Sequence, residues 1–155
     1  MDAPSSKPSC WMCRDRALAL GPAAAVMGIL NVTPDSFSDG GRYLDHAAAV
    51  RRGLAMAGEG AAILDVGGES SRPGAAAVPV DEELRRVVPV VAELARQTDC
   101  LISIDTTKAE VAEQALRAGA HIINDITALT GYPATAGVAR RHGAGVVLMH
   151  MQGTP

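Results

Sequence analysis

Residues 101–125 read LISIDTTKAEVAEQALRAGAHIIND, and this stretch shows the repeating unit of the chain most clearly. Its first five residues are mostly branched and apolar, which is typical of a short strand buried on both faces. Residues 107–118 are rich in Ala and stop before Gly119, a common residue at helix C-termini. A second apolar run follows at residues 121–124. The stretch therefore predicts a strand, a helix and a second strand, the unit from which parallel sheets are built.

The same alternation extends along most of the chain. It predicts strands at residues 25–31, 62–66, 101–105, 121–124 and 145–150, and helices at residues 45–59, 81–97, 107–118 and 133–142. This order predicts one α/β domain over residues 25–155, with a parallel sheet and right-handed crossovers. Residues 1–24 are rich in Pro, Ser and Ala, which indicates a leader or a short N-terminal hairpin.

The composition excludes several classes of partner. Of the 155 residues, 48% are hydrophobic and 20% are charged, and the formal net charge is −3. Lys and Arg form no cluster, which argues against a nucleic-acid surface. No apolar run reaches the length of a membrane span, and the first twenty residues contain no signal-peptide core. We therefore expect a cytoplasmic protein that binds neither membranes nor nucleic acid, while small anionic substrates remain compatible with the charge.

The three cysteines do not predict a metal or redox site. Cys10 and Cys13 have the spacing of a zinc or redox pair, but neither further ligands nor a preceding strand accompanies them. We interpret them as an incidental pair in a mobile N-terminal segment. Cys100 opens an apolar strand and is expected to be a small buried side chain.

A polar side chain stands at or near the end of each predicted strand: Asn31, Asp65, Asp105, Asn124 and His150. In parallel α/β folds the carboxyl ends of the strands build the active site. Each residue alone is explained equally well as a cap of the following helix or turn. Five in succession favour a shared polar mouth that binds a ligand.

Two long glycine-rich loops follow the first two strands, at residues 31–41 and 67–79. Such loops expose backbone N–H groups to anions, and their serines and Arg72 suit phosphate or carboxylate groups. Phe37, the only Phe in the chain, lies in the first loop. It either covers a flat ligand or packs onto the rim of the fold.

Five motifs carry a family resemblance. They are MGILNVTPDSFSDGG at residues 27–41, DVGGESSRPG at 65–74, SIDTTK at 103–108, IIND at 122–125 and MHMQGTP at 149–155. The two long motifs together resemble the signatures of the dihydropteroate synthases, whereas the shorter ones recur in related pterin-binding methyltransferases. The resemblance implies a (β/α)₈ TIM barrel of folate biosynthesis. It also implies a reaction that joins 6-hydroxymethyl-7,8-dihydropterin diphosphate to para-aminobenzoate, giving 7,8-dihydropteroate and diphosphate.

The resemblance implies roles for the matching residues. Asn31 resembles the residue that holds Mg²⁺ with the diphosphate, and Asp105 and Asn124 resemble those that hydrogen-bond the pterin. Catalytic roles are implied for Asp35, which would face positive charge on the pterin, and for Arg72. Further substrate contacts, beside the pterin or on the two loops, are expected for Phe37, Asp65, Ser71, Arg72 and Pro73.

These roles agree with the chemistry of the reaction. A pterin presents a guanidine-like edge whose donors a carboxylate such as Asp105 accepts in pairs, and the amide of Asn124 both donates and accepts. Diphosphate leaves once Mg²⁺ neutralises it, and the aromatic amine attacks the cationic methylene group. No side-chain nucleophile is needed, so catalysis rests on positioning and electrostatics. Ser71 replaces the usual Thr of the family, which implies a small change in para-aminobenzoate or sulfonamide binding.

The length of the chain bears on its expected activity. A (β/α)₈ barrel typically has about 250 residues, and the predicted pattern stops after about the fifth strand. The family's later pterin-binding Asp, its Lys-bearing loop and its Arg/His motif do not appear in these 155 residues. We therefore expect this chain alone to lack useful synthase activity, and by resemblance we expect the complete enzyme to be a homodimer.

Three alternatives remain open from the sequence. A five-stranded doubly wound domain fits the length, although such domains usually end on a helix and none is predicted after residue 150. A corrinoid-dependent methyltransferase shares the shorter motifs, but the SSRPG sequence at residues 70–74 favours the synthase. A non-catalytic fragment with a partial pterin site would bind a pterin without turnover.

Overall fold

The computed structural model describes residues 9–33, 41–70 and 77–149. Its elements follow one another as β1 (Ser9–Cys13), β2 (Arg16–Leu20), β3 (Met27–Asn31), α1 (Gly41–Gly58), β4 (Ile63–Gly67), α2 (Val80–Gln97), β5 (Leu101–Asp105), α3 (Ala109–Ala118), β6 (Ile122–Asp125), α4 (Ala134–His142) and β7 (Gly145–Leu148). The predicted alternation of strands and helices is therefore confirmed. The largest boundary difference lies at α1, which begins four residues before Asp45, the expected N-cap.

The parallel sheet has the strand order β3-β4-β5-β6-β7. From β4 onward, each strand thus pairs in parallel with the strand that precedes it in the chain. A doubly wound domain reverses its strand order at a switch point, whereas a (β/α)₈ barrel adds each strand on the same side. The order therefore decides against the doubly wound alternative and agrees with the barrel-type fold.

Helices cover the outer face of this sheet. The strand residues that point toward them are fully or almost fully buried: Leu30, Leu64, Val66, Ile102, Ile104 and Ile123. They belong to one apolar cluster with residues of α2 and α3 such as Val87, Leu94 and Leu116. Helices α3 and α4 end at Gly119 and Gly143, whose φ angles of 117° and 61° are left-handed, as the stop signals predicted. None of the described helices is both long and apolar enough to cross a bilayer.

The hairpin of β1 and β2 packs against the inner face of the sheet, near the amino-terminal ends of the strands. Cys13 is fully buried there and packs with Ile63 and Leu101. The interpretation of Cys13 as part of a mobile segment was therefore wrong, because this side chain belongs to a core. Cys10 is exposed and, three residues away along the strand, faces the opposite side, so the two thiols share no site.

Candidate active site

The carboxyl ends of the parallel strands carry an aligned row of residues: Asn31, Gly67, Asp105 and Asn124. Gly67 keeps the centre of this row open, because a Cβ atom built there would lie 3.3 Å from Oδ2 of Asp105 and 3.7 Å from Oδ1 of Asn31. The structure thus brings three of the sequence-predicted residues together at one end of the sheet. Asn31 and Asp105 flank Gly67, which has no side chain of its own, and Asn124 adjoins Asp105 on the next strand.

Asp65 lies one row deeper and not at a strand end as the sequence suggested. It is the middle residue of β4, paired with Ser103 on β5, and is 2% exposed. The amide Nδ2 of Asn124 donates a 2.9 Å hydrogen bond to Oδ2 of Asp65. This bond orients the Asn124 side chain and leaves its amide oxygen for a ligand above. Asp65 is therefore placed to support Asn124 from below.

Two buried polar atoms beneath the row have no hydrogen bond of good geometry among the described residues, although Ser103 lies close enough to Asp65 to lower the pKa of that carboxyl. They are Oδ1 of Asp65 and the hydroxyl oxygen of Ser103. An unsatisfied buried polar atom costs about 1–3 kcal/mol, so such atoms concentrate where a ligand or water satisfies them. Ser103 was not among the predicted site residues, although a hydroxyl inside an apolar strand two residues before Asp105 is a usable signal.

Negative charge is concentrated around Asp105. Burial raises the pKa of the neighbouring Asp65, and the Ser103 hydroxyl and the Asn124 amide, which both lower it, offset only part of that rise. The pKa of Asp105 is raised to about 7, first by burial and then by nearby carboxylates, in the order Asp65, Glu83, Asp125 and Glu69. A ligand edge with several N–H donors would relieve this repulsion, so the mouth favours an amidine-like or guanidine-like group over an anion.

Asp125 holds the loop that follows β6, and the sequence analysis gave it no role. This fully buried carboxylate accepts hydrogen bonds from the N–H and hydroxyl of Thr127, both at 2.8 Å, and from the N–H of Leu129 at 3.1 Å. Ala128 and Leu129 have φ angles of 52° and 66°, a conformation that costs non-glycine residues about 1–2 kcal/mol each. The bonds to Asp125 compensate for this strain and fix the loop beside Asn124.

The remaining sequence-predicted positions lie outside the described residues. They are Asp35, Phe37, Ser71, Arg72, Pro73 and His150. Their predicted roles, including the choice between ligand cover and rim packing for Phe37, therefore stay predictions.

The described residues fit a magnesium ion only when a substrate supplies most of its ligands. Among them, no group of three or more His, Cys, Asp or Glu side chains could hold a metal. Asn31 is exposed at the rim, and its amide oxygen flanks Gly67 on the side away from Asp105 in the strand order. Mg²⁺ usually keeps several waters and binds through few protein oxygens plus substrate phosphates. Asn31 matches that mode of binding.

Comparison with known proteins identifies the family. The profile of the pterin binding enzymes matches residues 27–155, which is most of the chain. The chain therefore belongs to the pterin binding enzyme family. It is similar to the dihydropteroate synthase of Synechocystis sp., with 50% identity over 135 residues that cover 87% of this chain and 47% of that relative.

Solved structures of dihydropteroate synthases share the fold. The Xanthomonas albilineans enzyme with 4-aminobenzoic acid matches at 52% identity and a TM-score of 0.88, covering 95% of this chain and 53% of that one. The same enzyme in complex with 7,8-dihydropteroate matches at 50% identity and a TM-score of 0.80, covering 90% and 50%. The chain thus spans about half the length of the relatives it matches.

Proposed function

We propose that this chain forms the part of a dihydropteroate synthase that binds the pterin. The observation that carries this proposal is the constellation of Asp105, Asn124 and Asp65 at the carboxyl ends of a barrel-type sheet. Relatives solved with 4-aminobenzoic acid and with 7,8-dihydropteroate support the same substrates for this chain. The reaction would join 6-hydroxymethyl-7,8-dihydropterin diphosphate to para-aminobenzoate.

The geometry supports a specific way of holding the pterin. Ionised Asp105 would accept two N–H donors from the guanidine-like edge, and those donors would offset the burial and the repulsion that raise its pKa. Asn124, with its NH₂ group held by Asp65, would present its amide oxygen to a further ring donor. The hydroxyl of Ser103 and Oδ1 of Asp65 would form the polar floor of the pocket.

Catalysis would then depend on charge placement. Asn31 would hold Mg²⁺ at the rim, where the ion would neutralise the diphosphate as it leaves. The negative field of Asp105, Asp65 and Asp125 would stabilise the cationic methylene left on the pterin. The neutral aromatic amine then attacks that carbon without a protein nucleophile. We assign Asp35 to the same stabilisation, and Arg72 to the departing diphosphate or the para-aminobenzoate carboxylate.

Further parts of the proposal come from the sequence and the resemblance. Phe37, Ser71 and Pro73 are proposed to contact para-aminobenzoate. Sulfonamides, as analogues of that substrate, are proposed inhibitors whose affinity is altered by Ser71. A homodimeric complete enzyme and a cytoplasmic location are proposed on the same basis.

A chimera tests the proposed activity. The Xanthomonas albilineans enzyme would supply the part of the barrel that this chain does not match, joined after β7 at a structurally aligned position. We expect this chimera to release diphosphate and form dihydropteroate in the presence of Mg²⁺. The 155-residue chain, assayed beside it, is expected to show no useful turnover. A folded chimera that binds neither pterin nor para-aminobenzoate would contradict the proposal, and pterin binding without turnover would favour a non-catalytic role.

Asp65 provides a matched test of the pterin pocket. Replacing Asp65 with Ala frees the Asn124 amide, and we expect pterin affinity to fall about tenfold, the worth of roughly one oriented hydrogen bond. Calorimetric titration of the chimera with a pterin measures this change. An Asp99→Ala variant is the control, because the side chain of Asp99 is fully exposed. Equal affinities in the two variants would remove Asp65 from the proposed pocket.

A further inference from the structure

Lys108 is a buried cation that the proposed reaction does not use. It lies in the connection between β5 and α3 and is 8% exposed. Its ammonium group is 2.6 Å from Oε2 of Glu83, a fully buried residue in the first turn of α2, and it also contacts the carboxylate of Glu69. Lys108 and Lys7 are the only lysines in the chain, so nearly every other cation is an arginine. A compact ammonium suits a closed space between two carboxylates better than a planar guanidinium does.

Glu69 also joins the two ends of the connection between β4 and α2. Its Oε1 atom accepts a 2.9 Å hydrogen bond from the backbone N–H of Val78. On the β4 side, the carbonyl of Gly68 accepts a 2.8 Å hydrogen bond from Arg86 of α2. One side chain, Glu69, therefore connects residues nine positions apart, and Lys108 holds that side chain from a third element.

Charge explains why a cation is needed at this point. Glu83 and Glu69 both lie close enough to Asp105 to raise its pKa, so the region already carries excess negative charge. Burial lowers the pKa of Lys108, but its hydrogen bonds to Glu69 and Glu83 outweigh burial and raise it overall. The ammonium group therefore stays charged. A buried carboxylate without this partner would be strongly destabilised.

We propose that Lys108 is a positioning residue. Its ion pair holds the Glu69 carboxylate in place, and Glu69 in turn fixes both ends, Glu69 and Val78, of the connection between β4 and α2. Its own backbone is tied to the pterin-facing strand, because the N–H of Lys108 donates to the hydroxyl of Thr106, which directly follows Asp105. Lys108 thus links the strand end that carries Asp105 to the connection that carries Arg72. The kinetic consequence of this link rests on the proposed function, whereas the structural link does not.

Hydrogen exchange at the Val78 amide tests the structural link directly. We compare Glu83→Gln with Glu83→Gln/Lys108→Met, because the paired change leaves no unpaired buried carboxylate at position 83. Losing Lys108 is expected to speed exchange at Val78 about tenfold, the effect of releasing roughly one hydrogen bond. The exchange rates of the Ile102 and Ile104 amides in the core of β5 should be the same in both variants. An Arg117→Met variant is the control, because it removes an exposed cation of α3 that pairs with Glu113.

A double-mutant cycle then asks whether Lys108 acts through Glu69. In the same Glu83→Gln background, Glu69→Ala should speed Val78 exchange to a similar extent as Lys108→Met, and combining the two changes should cause no further increase. Three results would each overturn the proposal. They are fully additive effects of the two substitutions, Val78 exchange that is unchanged without Lys108, and equal acceleration of exchange at Ile102 and Ile104. The last result would mean that Lys108 supports only global stability.

A kinetic measurement on the chimera separates this proposal from the proposed function. Loss of Lys108 should raise KM for para-aminobenzoate about three- to tenfold, while pterin affinity changes less than twofold. Pterin affinity that falls as much as KM rises would place Lys108 in the pterin pocket and overturn the positioning role. A wild-type chimera without turnover would contradict the proposed function and leave the Val78 exchange test intact.

Discussion

Replacing Asp105 with Asn is expected to stabilise the folded chain above pH 7 while weakening its affinity for a pterin. Burial and four nearby carboxylates raise the pKa of Asp105 to about 7. The ionised side chain is therefore held in place against electrostatic repulsion. Asparagine has nearly the same shape, carries no charge and removes that repulsion. It also loses the paired acceptance of N–H donors that a guanidine-like edge requires.

The sign and size of the stability change follow from the pKa. Between pH 3.8, the ordinary value, and about 7, the folded chain keeps a proton on Asp105 that the unfolded chain has released. The free energy of unfolding therefore falls as pH rises through that window, and the cost is fully present above pH 7. The raised pKa corresponds to an upper limit of about 4 kcal/mol, since a tenfold change in proton affinity is worth about 1.4 kcal/mol. Asp105 lies at an open mouth where water screens charge, so we expect about 1–2 kcal/mol.

Urea unfolding at pH 4, 6 and 8 measures this effect. The difference between Asp105→Asn and the wild type should be near zero at pH 4 and grow to about 1–2 kcal/mol at pH 8. Asp99→Asn is the control, because the fully exposed Asp99 side chain should give no such trend. This prediction would be contradicted if the stability difference between Asp105→Asn and the wild type did not depend on pH. It would also be contradicted if Asp105→Asn were less stable than the wild type at pH 8. Calorimetry with a pterin should show a loss of affinity of at least tenfold in the same variant.

Two further predictions concern the amino-terminal end of the sheet. Burial, and then two nearby arginines, lower the pKa of His121, whose neutral ring accepts the N–H of Ile102 at 3.1 Å. Stability should therefore fall as pH drops below 6.5, and His121→Gln should flatten that loss in thermal unfolding at pH 7.5 and 5.5. Gly145→Ala would place a Cβ 2.6 Å from Sγ of Cys13 and 2.8 Å from the ring of Trp11, which should cost about 1–3 kcal/mol in urea unfolding. If the contact with Cys13 is the cause, Cys13→Ala should restore part of that loss; an unchanged loss would contradict it.

The strands could be predicted because buried parallel strands are continuous apolar runs. The predicted strand at residues 101–105 coincides with β5, and the strand at residues 121–124 differs from β6 by one residue at each end. Glycine stop signals located the ends of α3 and α4 for an equally local reason. The start of α1 was misplaced because Asp45 is a plausible cap wherever it occurs, and only packing selects the true first turn.

The candidate site was predicted less completely. Asn31, Asp105 and Asn124 were found because each stands at or near a strand end, a position that the chain itself marks. Asp65 was predicted at the same level as these three residues, but it lies one row deeper, opposite Ser103. The row in which a residue lies depends on the register between neighbouring strands, which sequence order does not give. Asp125 was overlooked because its hydrogen bonds run to a loop whose conformation no local pattern announces.

The α/β order, the family resemblance and most of the polar row could be inferred from the amino-acid sequence, because they depend on short apolar runs and contiguous motifs. That the sheet adds each strand on the same side, and that Asp65 holds the Asn124 amide from below, became evident only from the folded structure. It alone revealed that Lys108 joins Glu69 and Glu83, which lie 39 and 25 residues away in the chain. Such contacts arise from strand register and from the packing of helices on the sheet. In the same way, burial and neighbouring charge act on the pKa of Asp105 only once the chain has folded.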